Sequence, residues 1–292
     1  LADWRFNYVV VDDNSTDGTE DALVELSAAA RTDICVLKGN GNLFYTGGMR
    51  KGIEYAKVHC ADSDGYLLAN DDVRFDSASV SHMIADMDAA VLVGATKDDD
   101  GRFSYGGIRY VKGIKYIPVK PEDDDRTCDT FNANCVLVPG DIFRASPNMD
   151  EAYNHSLGDF DYGLQIKRLG YRAEVYRIYA GVCNKNDVRG TWNDTTLPRK
   201  LRLAKKEGIK GLPRREWYHF LRKKLIQRIG ELLIPEFFKI TAYSLVKLFI
   251  IKRRLQVNHQ LKFMPAQALC YIAACTQYYR SGNSEMCKHH LS

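Results

Sequence analysis

The sequence predicts an α/β protein with a mixed, mainly parallel sheet flanked by helices, followed by a helical C-terminal region. Short apolar runs alternate with helix-forming segments through residue 198. Two of these runs end in adjacent carboxylates, and the sign of the net charge changes near residue 198. Strands that alternate with helical segments indicate a parallel sheet that is covered on both faces.

The first 198 residues contain the elements of this sheet. The apolar runs predict strands at residues 8–11, 34–37, 65–69, 90–93 and 135–138, and the segments between and after them predict helices at 17–30, 46–58, 77–87 and 160–169. Residues 105–118 are rich in Tyr, Ile and Val, and their three Gly predict an inserted hairpin.

The charge distribution predicts two regions. Residues 1–198 carry 21 Lys and Arg against 32 Asp and Glu, a net of −11, whereas residues 199–292 carry 20 against 5, a net of +15. We therefore expect a domain at 1–198 and a basic helical region at 199–292, which would be attracted to membrane phosphates or nucleic acid.

The C-terminal region is helical in composition at residues 201–209, 215–233 and 236–255. The charges within residues 233–251 argue against a membrane span. An interfacial helix and a core helix remain equal alternatives for residues 236–255.

The cysteines and the start of the chain predict a cytoplasmic protein. The eight Cys show neither a Cys-x-x-Cys pair nor zinc-ligand spacing with His, which favours reduced thiols. The first eleven residues lack the basic start and apolar core of a secretory signal.

Two paired carboxylates follow predicted strands. Asp12 and Asp13 end the first strand, where ligands bind in open α/β sheets, although a helix-capping turn is the alternative. Asp71 and Asp72 end the third strand, and adjacent acids there are costly unless a cation or hydrogen bonds compensate them. Oxygen ligands of this kind suit Mg²⁺ or Mn²⁺.

Two further motifs could contribute to a site. The Gly-rich stretch at residues 39–52 leads into a helix near Thr46, and free N–H groups at a helix start attract phosphate. Asp159 lies at the start of the predicted helix 160–169, either as a helix cap or as a reactive acid.

The order of these motifs resembles that of family-2 glycosyltransferases, which have the GT-A fold. The resemblance covers roughly residues 6–220 and rests on Val-Val-Asp-Asp, Asn-Asp-Asp and Gly-Asp-Phe-Asp-Tyr-Gly. The last motif, with a preceding Phe-Asn-x-Asn-x-Val-Leu-Val-Pro, is similar to a bacterial surface-polysaccharide type. The resemblance implies transfer of a sugar from a nucleoside-diphosphate donor to a hydroxyl, with inversion.

The resemblance also implies roles for individual residues. Asp159 would be the general base, and Asp72 would hold Mg²⁺ or Mn²⁺. The donor-binding residues would be Asp12, Asp13, Asn42, Gly47, Gly48, Arg50, Asp71, Arg189 and Trp192. Apart from the resemblance, His155 and Asp161 are candidates for the acceptor side because of their place near this centre, and a structural or solvated role is the alternative for the lone His155.

The chain departs from the family pattern in four places. Gly158 replaces a Glu, Met49 and Arg50 lie near the place of a second Asn, and residues 179–194 lack the metal-ligating His of many relatives. Asn184, Asp187 or water would then complete the cation's ligands, or the metal dependence would be weak. The family's fold also opens with a strand before Val-Val-Asp-Asp, so we expect a missing N-terminal segment.

The implied partners are a nucleotide-sugar, UDP- or dTDP-linked, and a glycan or lipid-linked acceptor. We expect no nucleic acid, because no recognisable reading module is present. The anionic inner face of the cell membrane is the expected surface for the basic region. The alternative functions are a sugar-nucleotidylyltransferase and a non-catalytic nucleotide-sugar-binding protein.

Overall fold

The structure is a computed structural model that describes residues 4–30, 32, 34–233 and 268–275. The strands in these residues are β1 (Arg5–Asp12), β2 (Ile34–Lys38), β3 (Gly65–Asn70), β4 (Arg74–Phe75), β5 (Val91–Val93), β6 (Thr96–Lys97), β7 (Phe103–Tyr105), β8 (Gly107–Lys112), β9 (Lys115–Val119), β10 (Thr127–Cys128), β11 (Thr130–Phe131), β12 (Cys135–Pro139), β13 (Ala173–Val175), β14 (Gly181–Val182) and β15 (Ala268–Cys275). The helices are α1 (Thr19–Ala30), α2 (Phe44–His59), α3 (Ser77–Ala85), α4 (Gly140–Ala145), α5 (Gly158–Arg168), α6 (Arg199–Glu207) and α7 (Arg214–Leu233).

An eight-stranded sheet is the main layer, with the order β10-β13-β5-β12-β3-β15-β1-β2. Four neighbouring pairs are parallel, while β12 runs antiparallel to both β3 and β5, and β10 runs antiparallel to β13. The expected mixed, mainly parallel sheet flanked by helices is confirmed. Buried apolar runs such as Val9–Val11 form its central strands because both faces are covered.

The strand β15 lies between β1 and β3, parallel to both. It pairs with β1 from Arg5↔Ala268 to Asp12↔Cys275. Residues 268–275, which lie in the region expected to be helical, form a strand in this sheet. The carboxyl ends of β1, β15 and β3 therefore meet at one edge of the sheet.

Two small sheets extend from this layer. One has the order β11-β8-β9, and its hairpin spans Gly107–Val119, close to the predicted residues 105–118. The other has the order β4-β14-β6-β7 and brings β14 next to β4, which directly follows the Asp71–Asp72 turn.

The core packs under the main sheet. Tyr66 of β3 stacks on Phe143 of α4, with 3.6 Å between ring centroids. Met49, Ile53 and Ala56 recur at helical spacing on α2 and are fully buried. This packing fixes α2, which follows the Gly-rich segment, against the sheet.

The chain divides into two compact units, one comprising Leu1–Pro213 with Gln267–Ser292 and the other Arg214–Ala266. The helix predicted at residues 236–255 lies outside the described residues. No helix in the described part of the chain combines the length and the hydropathy that a membrane-spanning segment needs.

Candidate active site

A cavity of about 260 Å³ opens beyond the carboxyl end of β3. Four of the predicted site residues line it, namely Asp71, Asp72, His155 and Asp159. The other residues that line it are Tyr45, Asn70, Tyr105, Asn132, Asn134, Ser156, Leu157, Phe160 and Asn186. The fold thus brings together two acidic motifs that are 87 positions apart in the sequence, from Asp72 to Asp159.

The environment of Asp71 and Asp72 favours a bound cation. Asp71 is exposed to the cavity, yet the surrounding protein and the neighbouring Asp72 carboxylate raise its pKa to about 7. Burial also raises the pKa of Asp72. The buried Asn70 Oδ1 has no hydrogen-bond partner in the described structure. A cation bound here would stabilise both carboxylates in their charged form and would give Asn70 Oδ1 a partner.

This donor set fits the Mg²⁺ or Mn²⁺ implied by the resemblance. Carboxylate and amide oxygens are hard ligands, and Mg²⁺ commonly takes one or two carboxylates together with substrate phosphates and water. Within the described residues, no group of three or more His, Cys, Asp or Glu side chains could hold a metal on its own. The residues therefore fit a cation that is shared with a phosphate-bearing ligand.

Asp159 is a buried carboxylate at the first turn of α5. Burial raises its pKa to about 6, although Phe160 N–H donates to it at 2.8 Å and Ala133 N–H donates at 3.3 Å. A base with a pKa slightly below neutral pH is mostly ionised there and still accepts a proton well. The geometry is therefore suited to general base chemistry.

The backbone around Asp159 explains why Gly precedes it. A β-carbon on Gly158 would overlap the side chain of Thr46. The Thr46 hydroxyl itself donates to the carbonyl of His155 at 2.9 Å, which ties α2 to this loop. Leu157 has a φ of 69°, a left-handed conformation that is uncommon outside Gly. The space for a Glu in place of Gly158 is thus taken by Thr46.

Tyr45 and His155 present unpaired polar atoms at the cavity. The Tyr45 hydroxyl and His155 Nδ1 are buried without a hydrogen-bond partner in the described structure. Their rings meet edge to face, with 6.4 Å between centroids. Burial, with a contribution from Lys210, lowers the pKa of His155 to about 4, so its imidazole is neutral at pH 7. A neutral imidazole and a phenol can both bind sugar hydroxyls.

Asp12 ends β1 but does not line the cavity. Its Oδ1 accepts from Ser15 N–H at 2.9 Å and its Oδ2 accepts from Lys38 Nζ at 3.0 Å. Burial favours the neutral acid, but these hydrogen bonds prevail and hold its pKa below the usual range. Asp12 is therefore an ionised group at the strand edge beside β15.

Asp13 holds the Gly-rich loop in place. Its Oδ1 accepts from Gly41 N–H at 2.7 Å, and its Oδ2 accepts from the N–H groups of Leu43 and Phe44 at 2.8 and 3.1 Å. The carbonyl of Asn154 accepts from Thr46 N–H at 3.1 Å. The protein itself thus occupies the helix-start amides that the sequence suggested for phosphate.

Other donor candidates from this loop lie beside the cavity rather than in it. Arg50 donates to the carbonyls of Asp150 and Tyr153, both at 3.3 Å. Gly47 and Gly48 are buried in the first turns of α2, and Asn42 is exposed. Their assignment to the donor remains a prediction.

The remaining predicted residues also lie outside the cavity lining. Asp161 is buried and accepts from Gln165 Nε2 at 2.7 Å on its own helix. Arg189 is exposed and pairs with Asp187, with 2.6 Å between nitrogen and oxygen. Trp192 lies under the ammonium of Lys206, 5.7 Å from the ring centroid.

The groups expected to complete the cation site are engaged elsewhere, and a thiol lies beside it instead. Asn184 Oδ1 accepts from Asp99 N–H at 2.9 Å, and Asp187 pairs with Arg189. The buried Cys183 donates to Asp72 Oδ1 at 3.7 Å. Cys183 directly follows β14, so the small sheet places it there.

Sequence reasoning did not single out several residues that line the cavity. Tyr45 lies inside the Gly-rich motif, and Asn132 and Asn134 lie inside the motif at residues 129–139. The alternation of Asn132 and Asn134 before β12 was the available signal, because alternate residues of an extended segment share one face. Tyr105 ends β7 and Asn186 lies in a loop, and neither position carried a signal for a site.

No curated protein matches this chain. Among solved structures, the protein named A197 from STIV aligns over 59% of this chain and 82% of its own, at 11% identity with a TM-score of 0.37, a similarity too low to support an argument. Residues 2–132, which contain both Asp-Asp motifs, match the family model described as glycosyl transferase family 2, and this match supports glycosyltransferase activity in general.

Proposed function

We propose that this protein transfers a sugar from a nucleoside-diphosphate donor to a hydroxyl of a glycan or lipid-linked acceptor, with inversion at the anomeric carbon. The observation that carries the proposal is the shared cavity of Asp71, Asp72 and Asp159. Paired carboxylates for a cation and a separate buried base are the groups that such a displacement needs.

The proposed reaction forms one bond and breaks one. The acceptor oxygen attacks the anomeric carbon, the bond from that carbon to the phosphate oxygen breaks, and the nucleoside diphosphate leaves. Asp159 takes the acceptor proton, a contribution on the order of 10²–10⁴-fold. A cation bound at Asp71 and Asp72 would neutralise charge on the leaving diphosphate.

The donor would extend from this cavity toward the ends of β1 and β15. Cys275 at the end of β15 lies in register with Asp12, and Ala274 pairs with Asn70. Ligands of open α/β sheets bind beyond such strand ends. We therefore assign the base and ribose to this edge, with Asp12 as the charged group there.

Polar side chains near Asp159 would bind the acceptor. His155 and Tyr45 have unpaired polar atoms, and each would satisfy them by binding a sugar hydroxyl. Buried polar groups left without a partner cost roughly 1–3 kcal/mol each. Occupation of the cavity by a sugar would remove that cost.

The proposal includes a location at the inner face of the cell membrane. A lipid-linked acceptor and a surface-polysaccharide pathway would require this location, and the region 199–292 carries a net charge of +15. Polybasic segments gain about 1 kcal/mol for each Lys or Arg near an anionic leaflet.

A donor screen tests the reaction. The purified chain is incubated with Mn²⁺ and a panel of nucleotide-sugars, and release of nucleoside diphosphate is measured. We expect slow hydrolysis of one UDP- or dTDP-linked donor. The Asp159→Asn variant should bind that donor but lose transfer, whereas Asp141→Asn, on the exposed side of α4, should behave like the parent chain.

Two results would contradict the proposal. Near-normal turnover by Asp159→Asn would remove the assigned base. Release of pyrophosphate from a nucleoside triphosphate and a sugar phosphate would instead identify a nucleotidylyltransferase.

A further inference from the structure

The β8–β9 hairpin has an unusual surface for this part of the chain. Residues 111–118 are exposed without interruption. Four of them are large apolar side chains with 44–59% of their surface exposed, namely Val111, Ile114, Tyr116 and Ile117. Contiguous exposed apolar residues on a protein surface mark an interaction site more often than chance.

The same hairpin is basic in an acidic region. Residues 106–121 contain four Lys and Arg and no Asp or Glu, although residues 1–198 have a net charge of −11. Lys112 and Lys115 flank the turn at Gly113, and neither has an ion-pair partner among the described residues. Near the base of the hairpin, Arg109 pairs with Asp125, and Asp129 pairs with Lys167.

The hairpin is joined to the catalytic cavity by ring contacts. Tyr110 meets Tyr116 edge to face, and Tyr116 meets Phe160 in the same way, with 6.2 Å between the last two centroids. Phe160 lines the cavity and follows Asp159. Whatever binds the hairpin is therefore held at the acceptor side of the cavity.

We infer that the tip of this hairpin, residues 111–117, docks on an anionic lipid bilayer, with Ile114, Ile117 and Val111 entering the interface and Lys112 and Lys115 contacting lipid phosphates. In such an interface the apolar side chains enter the boundary between headgroups and acyl chains, and the neighbouring lysines contact the anionic headgroups. Each lysine near an anionic leaflet should strengthen binding roughly fivefold. Docking through the hairpin tip would bring the cavity close to an acceptor embedded in the membrane. Only this role toward an acceptor rests on the proposed function; the docking itself does not.

Vesicle co-sedimentation without nucleotide-sugar or acceptor tests the docking directly. The full chain is mixed with phosphatidylcholine vesicles or with vesicles that also contain phosphatidylglycerol. We expect binding to the anionic vesicles that weakens at high salt. The Lys112→Glu/Lys115→Glu variant should bind at least on the order of tenfold more weakly, and Ile114→Asp/Ile117→Asp should lose the part of binding that resists salt.

A matched control separates the hairpin from general surface effects. Val24 and Val58 are exposed at 64% and 70% on α1 and α2, so Val24→Asp/Val58→Asp should bind like the parent chain. In the Ile114→Trp variant, lipids with brominated acyl chains should quench the fluorescence of the introduced Trp. The parent chain's own Trp fluorescence, measured with the same lipids, is the baseline.

Three results would overturn the inference. The hairpin variants could bind vesicles as well as the parent chain, which would assign any binding to other basic residues. Ile114→Trp could show no added quenching. Alternatively, Ile114→Asp/Ile117→Asp could convert a dimer to a monomer in sedimentation while vesicle binding is unchanged, which would identify a second copy as the occupant. Vesicle binding does not require transferase activity, so Asp159→Asn should bind vesicles like the parent chain. A negative transferase result would therefore contradict the proposed function and not the docking of the hairpin.

Discussion

The thiol of Cys183 lies 3.7 Å from Oδ1 of Asp72 and donates a hydrogen bond to it. Both groups are shielded from solvent, and burial together with the nearby Asp72 charge raises the pKa of Cys183 to about 12. The thiol therefore stays protonated and orients the carboxylate. Asn134 Nδ2 lies 3.5 Å from the same sulfur and holds it from the other side.

Replacement of Cys183 should weaken cation binding. Groups that orient a metal-binding carboxylate typically contribute 10–100-fold to metal affinity. We expect Cys183→Ala to bind Mn²⁺ in the presence of nucleoside diphosphate about tenfold more weakly by isothermal titration calorimetry, with Cys35→Ser as the control. Equal affinities for parent and Cys183→Ala would refute this role.

The pH dependence of transfer should report Asp159. Its pKa is raised to about 6 by burial, and only the deprotonated form can accept the acceptor proton. We expect kcat/KM to fall about tenfold per unit as the pH drops below 6 and to be level above 7. Saturating Mn²⁺ keeps Asp71 ionised, so its titration should not contribute. A level profile down to pH 5 would exclude Asp159 as the base.

The ionised carboxylate of Asp159 should lower the free energy of unfolding. A carboxyl whose folded pKa is raised from 3.8 to about 6 costs no stability below pH 3.8; the cost grows as the pH rises from 3.8 to 6 and is complete above 6. We expect Asp159→Asn to raise the free energy of unfolding at pH 8 by up to about 3 kcal/mol, with no gain near pH 4. Urea denaturation at both pH values measures this, and a variant less stable at pH 8 would contradict it.

The strand β15 should be essential to the sheet. A proline at Ile272, in the middle of β15, removes an N–H group from a strand that is paired on both sides. We expect Ile272→Pro to lose at least about 2 kcal/mol of stability or to be insoluble. Ala268→Pro, at the first residue of the strand, should be tolerated far better. Equal thermal stability of the two variants would show that β15 does not complete the sheet.

The sequence alone predicted the α/β class and most of the elements in residues 1–198, because apolar runs, helical spacing and Gly or Asp at the ends of elements are local signals. It also singled out Asp71 and Asp72, because adjacent carboxylates at a strand end are costly unless something compensates them, and it singled out Asp159 through the resemblance to family-2 glycosyltransferases. Only the tertiary structure decided that β15 lies between β1 and β3, since strand pairing is a contact between residues distant in the sequence. It likewise decided that Cys183 faces Asp72, that Tyr45 and His155 share the cavity, and that Asp13 and Arg50 hold loops in place. Those roles depend on which partner a side chain meets, and that is fixed by the packing of distant segments rather than by residue type.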